Sequence, residues 1–281
     1  MAAHSCAAGG PRQAKPGRVP PRFAIPRGEA HVWLGEPAVG DPSSAELSSA
    51  ELSQPERDRM NRFHFAHDRL LYLAAHSLLR RALSPCALDV APSEWVIGTT
   101  PHGRPAMAAP WDDLHFNLSH THGLVACVVV RDADCGIDVE ALAGGDIALI
   151  SRHVLAQAEL VAVRAAPPPA RRDLFCRFWT LKEAYVKARG HGFALPLDRC
   201  VFTVDGRAVT MVEHPDQVDQ DGWQFMQYLP TPRHVLALAL HAAAPVTVTV
   251  HTGWPVTAAG RRPPAPRPGC ASAPGAAHRD R

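Results

Sequence analysis

No stretch of this chain approaches the roughly 18 consecutive apolar residues that a bilayer-spanning helix needs, so no helical membrane span is expected. The opening MAAHSCAAGGPRQAKPGRVPPRFAIPRG also lacks the continuous apolar core of a secretory signal. There is no CxxC pair, and the seven cysteines are scattered. An odd count without paired spacing fits reduced thiols in a cytoplasm-like compartment. Charge of one sign is not in excess either. The formal net charge of +2 is too balanced to argue for nucleic acid as a partner.

What is present is enough to bury a core. Of 281 residues, 46% are hydrophobic and 20% charged, which suits one compact domain or two small ones. Both ends are rich in Pro, Gly, Ala and Arg. Residues 1–28 are therefore expected to be a disordered leader and 252–281 a disordered Pro-rich tail. The ordered part should comprise two segments, 29–133 and 134–251.

The chain is organised around FCRFWTLKEAYVK at 175–187. Phe175, Phe178, Leu181, Tyr185 and Val186 recur at three- and four-residue steps, the period of a helix. Glu183 and Lys187 lie four apart and project from one face. Alone, such a pair reads as a surface ion pair contributing about 0.3 kcal/mol. A second acidic element upstream, Asp138-Val139-Glu140 in an apolar context, changes the odds. Residues two apart in a strand share a face, so Asp138 and Glu140 point together while Ile137 and Val139 enter the core.

Strand candidates lie at 30–34, 94–98, 114–118, 124–130 and 135–140, then at 200–204, 208–213, 223–229, 234–241 and 246–251. The Leu-rich segment 56–83 predicts the main helix of the first half. A loop is expected at 141–150 and a helix at 152–163, closed by Pro167, Pro168 and Pro169. The Glu183 helix should span 170–189 with Gly190 at its C-terminal cap. Cys127 and Cys135 read as small core residues. Arg57, Arg59, Arg62 and Arg69 read as a solvated face or as an anion-binding patch.

Asp138, Glu140 and Glu183 place three carboxylates on two elements. Buried carboxylates need a cation or protons. Oxygen donors without His or Cys beside them favour a hard ion, Mg²⁺ or Mn²⁺. Structural Ca²⁺ is the alternative, although the chain offers no Asp-rich loop for it. Mg²⁺ usually keeps waters and takes substrate phosphate oxygens. The site therefore implies a phosphorylated substrate, held also by Lys187, Arg104, His120 and the Arg cluster. His120 and His122 lack a Cys or third His to complete a metal set. Beside Ser119 at a strand end, His120 reads better as a phosphate or ribose contact.

The segments FNLSHTHGLVACVV, CGIDVE and FWTLKEAYVKARGHGF, in that order, resemble the 4′-phosphopantetheinyl transferase superfamily in its Sfp-like branch. Its patterns are FNxSHS, GIDxE and WxxKEAxxKxxGxG, and Gly103-Arg104-Pro105 is similar to its G-K/R-P element. Each motif alone is weak, and together in order they are specific. Thr121-His122 departs from the usual Ser and small residue after SH. The resemblance implies an α+β fold of two similar α/β subdomains related by a pseudo-twofold axis, a monomer with coenzyme A in the cleft between them. It implies Asp138, Glu140 and Glu183 as Mg²⁺ ligands, with Lys187 neutralising phosphate charge. It implies Ser119 and His120 as contacts to the 3′-phosphate of coenzyme A, Arg104 as a contact to its phosphates, and Arg69, with Arg62, as basic phosphate contacts.

The implied reaction moves 4′-phosphopantetheine from coenzyme A to a serine of an acyl or peptidyl carrier protein, an acidic helical partner, and releases adenosine 3′,5′-bisphosphate. Glu183 is the expected base and Lys187 the charge-stabilising group. No membrane or nucleic acid is implied, and the expected location is the cytoplasm. The rival readings are a non-catalytic coenzyme A or carrier-binding module and a Mg²⁺-dependent nucleotide hydrolase.

Overall fold

The structure, a computed structural model, describes residues 25–37, 47–87, 90–101, 103–143, 147–190, 195–206, 208–214 and 221–255. In chain order the strands are β1 (Glu29–Gly35), β2 (Ile97–Thr99), β3 (Pro105–Met107), β4 (Leu114–Thr121), β5 (Leu124–Arg131), β6 (Asp134–Ala141), β7 (Val201–Asp205), β8 (Ala208–Glu213), β9 (Trp223–Thr231), β10 (His234–His241) and β11 (Thr247–Thr252). The helices are α1 (Gln54–Arg62), α2 (Ala66–Leu83), α3 (Ile147–Val154), α4 (Gln157–Ala165) and α5 (Pro168–Arg189).

A strand that is apolar at nearly every position must be covered on both faces, and β5 shows how. Val125, Cys127 and Val129 pack with Leu78, Leu79, Ala82 and Leu83 of α2. Their neighbours Leu124, Ala126, Val128 and Val130 face a second core with Ile137 and Val139 of β6 and Leu236, Leu238 and Leu240 of β10. The other face of β10, Val235, Ala237 and Ala239, joins Phe178, Leu181 and Tyr185 of α5 in a third core. The order is thus helix, sheet, sheet, helix. The first sheet runs β11-β1-β5-β4 and the second β6-β10-β9, with β2-β3 and β7-β8 as separate hairpins.

The boundary expected at 133/134 falls in the tight turn between β5 and β6, where Asp132 takes a positive φ of 54°. The second segment nevertheless returns a strand to the first sheet, because β11 pairs in parallel with β1. The expected leader and tail lie largely outside the described residues, and Thr252, placed at the start of the tail, ends β11.

Several boundaries differ from the sequence expectation. The helix expected across 56–83 is two helices, α1 and α2. Phe63 leaves helical geometry and packs its ring at a tilt against Tyr72, while Arg69 donates to the carbonyls of Phe63 and His64 in the linker. The helix expected at 152–163 is likewise two, α3 and α4, and α3 begins inside the expected loop. Glu159 ends the run by accepting from the Ala156 backbone N–H at the start of α4. Pro168 and Pro169 open α5 rather than close α4, which suits proline's missing donor in a first turn. The strand expected at 94–98 starts at Ile97, after a 3₁₀ turn at Pro92–Glu94 that buries Trp95.

Two buried ion pairs lock the helices. Lys182 Nζ lies 2.7 Å from Glu159 and donates to the carbonyls of Leu197 and Cys200, tying α5 to α4 and β7. In the first half Arg80 donates to Glu56 at 2.6 and 2.9 Å and to the carbonyls of Pro92 and Trp95. Burial alone would raise the Glu56 pKa, but hydrogen bonds from His76, Ser53 and Arg80 outweigh it and bring it from 4.5 to about 2. A folded pKa below the unfolded one stabilises above the unfolded value, and the stabilisation fades as pH falls towards the folded value. Glu56→Gln should therefore lower the unfolding free energy by roughly 2–3 kcal/mol at pH 7 and by much less at pH 3, read by urea denaturation. Equal losses at both pH values would contradict the pairing.

Candidate active site

β6 is hydrogen-bonded to a strand on one side only, β10. Its other edge faces β4 across the gap between the two sheets, and side chains satisfy it. The Ile137 N–H donates to Asn117 Oδ1 at 3.0 Å and the Val139 N–H to Ser119 Oγ at 3.3 Å. The Ile137 carbonyl accepts from Lys187 Nζ at 3.2 Å and the Cys135 carbonyl from Arg104 at 3.0 Å. Asn117 and Ser119 lie two apart on β4 and so share a face.

Between the two anchored residues lies Asp138, only 4% exposed. Its Oδ1 accepts from Ser119 Oγ at 2.9 Å and from Lys187 Nζ at 2.6 Å. The face of β6 that carries Gly136, Asp138 and Glu140 is closed by α5. A Cβ added to Gly136 would fall 2.0 Å from the Ala184 carbonyl oxygen, so only glycine lets the helix approach this closely. That approach sets Trp179, Glu183 and Lys187, four residues apart in turn, along the side of α5 facing the acids. Trp179 Nε1 donates to Glu140 Oε1 at 3.0 Å.

The electrostatics are those of a site short of positive charge. Burial raises the Glu183 pKa first, and the charges of Asp138 and Glu140 raise it further against the opposing pull of Lys187. Burial also raises the Glu140 pKa, followed by the charge of Asp138, with the Trp179 hydrogen bond and Lys187 working the other way. Asp138 Oδ2 and Glu183 Oε1 are buried without a hydrogen-bond partner. Lys187 is a single counter-charge against three acids. Among the described residues no three His, Cys, Asp or Glu side chains are grouped as a ready metal cage. Mg²⁺ needs only one or two protein carboxylates, its remaining positions going to water and phosphate. The two unpartnered oxygens fit that demand.

Asp138, Glu140, Glu183, Lys187 and Ser119 are thus brought together. His120 follows Ser119 with its side chain exposed at the rim. Partial desolvation lowers its pKa, and the nearby charges of Lys187 and His76 lower it further. The other predicted contacts are placed differently. Arg104 donates to the Ala188 and Cys135 carbonyls and lies 3.6 Å from Asp134, which joins the β2–β3 turn to the end of α5. Arg69 holds the α1–α2 linker, and Arg62 is exposed at the end of α1. Ser119 is 6% exposed and its hydroxyl is already committed to Asp138, Lys187 and Val139. The His122 carbonyl accepts from His234. Two contributors were not singled out from sequence, Asn117 and Trp179. The signal for each was spacing, two residues before Ser119 and four before Glu183.

Comparisons with known proteins point to one family. A family model described as the 4′-phosphopantetheinyl transferase superfamily matches residues 134–239. A second, described as 4′-phosphopantetheinyl transferase, N-terminal, matches residues 40–131. The 4′-phosphopantetheinyl transferase HetI of Nostoc sp. is 30% identical over 224 residues, covering 79% of this chain and 91% of that protein. A 4′-phosphopantetheinyl transferase of Bacillus subtilis is 29% identical over 161 residues, covering 57% and 70%. AcpT of Salmonella typhi is 35% identical over 123 residues, covering 43% and 59%.

A carboxylic acid whose folded pKa is raised loses stability when it ionises, because the folded state prefers the proton. Glu183→Gln should therefore raise the melting temperature at pH 7.5 in EDTA by roughly 2–4 °C, the shift that about 1 kcal/mol produces in a chain of this size. Mg²⁺ should then stabilise the unaltered protein more than the variant. An unchanged or lower melting temperature in EDTA would argue against crowded, uncompensated acids.

Proposed function

The chain belongs to the 4′-phosphopantetheinyl transferase superfamily, in its Sfp-like branch, and on that premise we propose that it is a Mg²⁺-dependent enzyme loading acyl or peptidyl carrier proteins. It takes the 4′-phosphopantetheine of coenzyme A and attaches it to a carrier serine, the holo-[acyl-carrier-protein] synthase reaction. Adenosine 3′,5′-bisphosphate is released. The observation that carries this reading is the pair of buried oxygens without partners, Asp138 Oδ2 and Glu183 Oε1, beside Lys187.

Asp138 and Glu183, with Glu140, are the residues that would hold Mg²⁺ or Mn²⁺. When bound, such an ion supplies charge neutralisation to a diphosphate and orients it. The chain's own groups do the rest. In the transfer, the serine oxygen forms a bond to the phosphorus bearing the pantetheine arm, and the bond from that phosphorus to the bridging oxygen breaks. The departing adenosine 3′,5′-bisphosphate takes the electron pair. The serine proton goes to the Glu183 carboxylate, directly or through a bound water. Lys187 sits where its ammonium can meet phosphate oxygens while Asp138 Oδ1 holds it in place. His120, at the rim, meets the 3′-phosphate. Ser119 acts on Asp138 and Lys187 rather than on substrate, since its hydroxyl is already engaged.

The same reading takes the sheet covered by α2 and the sheet covered by α5 as similar halves about a pseudo-twofold axis, with coenzyme A between them in a monomer. The carrier is an acidic helical protein in the cytoplasm, met by the basic surface of α1, where Arg59 and Arg62 are exposed.

Incubation with coenzyme A, Mg²⁺ and a mixture of apo carrier proteins, read by intact mass, tests the proposal. The expected result is a carrier gaining the phosphopantetheine mass, with EDTA abolishing the gain and Glu183→Gln slowing it by about 100-fold or more. No mass gain on any carrier, or phosphate release without a carrier, would overturn it.

A further inference from the structure

The free edge of β6 carries an inference that rests on the proposed transferase reading. A strand edge left without a partner exposes backbone groups that must be satisfied. Here the partners are side chains. Three of them, Ser119, Lys187 and Arg104, also contact acidic side chains or the end of α5. The fourth, Asn117, has one hydrogen-bond partner among the described residues, the Ile137 N–H at 3.0 Å.

We propose that Asn117 is a positioning residue for Asp138. Its amide oxygen stands in for the strand that β6 lacks and fixes residue 137, while Ser119 fixes residue 139. Asp138 is held between these two anchors, so its Oδ1 meets Ser119 and Lys187 and its Oδ2 is left free. Without Asn117 the Ile137 N–H loses its acceptor at the seam between the sheets. The Ile137 carbonyl, which Lys187 holds from the other side of the same residue, shifts with it. Asp138 then turns away from the orientation that puts Oδ1 on Ser119 and Lys187 and leaves Oδ2 unpartnered. Asn117 itself touches neither substrate nor ion, and its effect passes through backbone geometry. Groups of this kind, one shell out from a metal ligand, typically change metal affinity or activity by about 10–100-fold.

The variants Asn117→Ala and Asn117→Ser separate this role from plain stability. Serine puts at 117 the same hydroxyl with which Ser119 already holds the Val139 N–H. A core variant, Leu83→Ala, removes buried apolar volume on the α2 side of the first sheet, outside the core that holds Ile137 and Val139, and serves as the stability control. Three measurements apply: Mn²⁺ affinity of the free protein by electron paramagnetic resonance, amide exchange at Ile137, and carrier loading. Asn117→Ala should weaken Mn²⁺ binding by about 10-fold or more and speed exchange at Ile137. Asn117→Ser should recover most of both, and Leu83→Ala should lower the melting temperature without moving Mn²⁺ affinity.

Wild-type Mn²⁺ affinity in Asn117→Ala, or an equal loss in Leu83→Ala, would overturn the proposal. Should Asn117→Ala not fold, Asn117→Ser decides: fast exchange at Ile137 or Mn²⁺ affinity as low as that of Asp138→Asn overturns it. Failure of the unaltered protein to load any carrier would count against the transferase reading alone. The exchange and Mn²⁺ comparisons would still judge Asn117.

Discussion

The active region depends on one unmade interaction: among the described residues β6 forms no backbone ladder with β4, the strand beside its other edge. Where two strands lie side by side without a ladder, backbone donors and acceptors on the facing edge are left to be satisfied in another way. An unpaired buried backbone group costs about 1–3 kcal/mol. Asn117, Ser119, Lys187 and Arg104 supply the missing partners. Because these side chains come from β4, α5 and the β2–β3 turn, closing the edge also ties the two halves of the molecule together. The same closure puts a lysine and a serine beside Asp138. Structure and chemistry share these atoms, so neither can be altered alone.

The acids themselves work against folding. Three carboxylates face one ammonium, and two buried oxygens have no partner. Such a cluster persists only where the surrounding frame over-determines it. The frame is visible. Gly136 lets α5 settle onto β6, and the Lys182–Glu159 pair fastens the opposite side of that helix to α4 and β7. Adjacent residues on α5 therefore have opposed tasks: Lys182 is buried as an anchor, while Glu183 turns towards the acids with an oxygen unsatisfied. In the other half, Arg80 and Glu56 hold α2 to α1 and to the turn before β2, keeping the first sheet's outer layer in place.

The alternation of charge and apolar residues in Cys135 to Glu140 was enough to place Asp138 and Glu140 on one face and Ile137 and Val139 in the core, because a strand's period of two leaves no other choice. The helical period of 175–187 likewise put Glu183 and Lys187 on one side of α5. The all-apolar β5 implied burial on both faces, and both are buried. The breaks at Phe63 and Ala156 were not legible. Each is fixed by a polar contact, from Arg69 or Glu159, that the apolar period alone does not reveal.

Local sequence thus carried the identity of the acids, their faces and the family to which the chain belongs. Which arginines stay free was settled by packing. Arg104 read as a phosphate contact, yet it ends on the carbonyls of Ala188 and Cys135, because those groups lack partners only once the two sheets and α5 have come together. Asn117 was unremarkable as a letter for the same reason. Its partner lies 20 residues away on a strand that has no ladder on that side, and a missing ladder is a property of two sheets in space rather than of either strand.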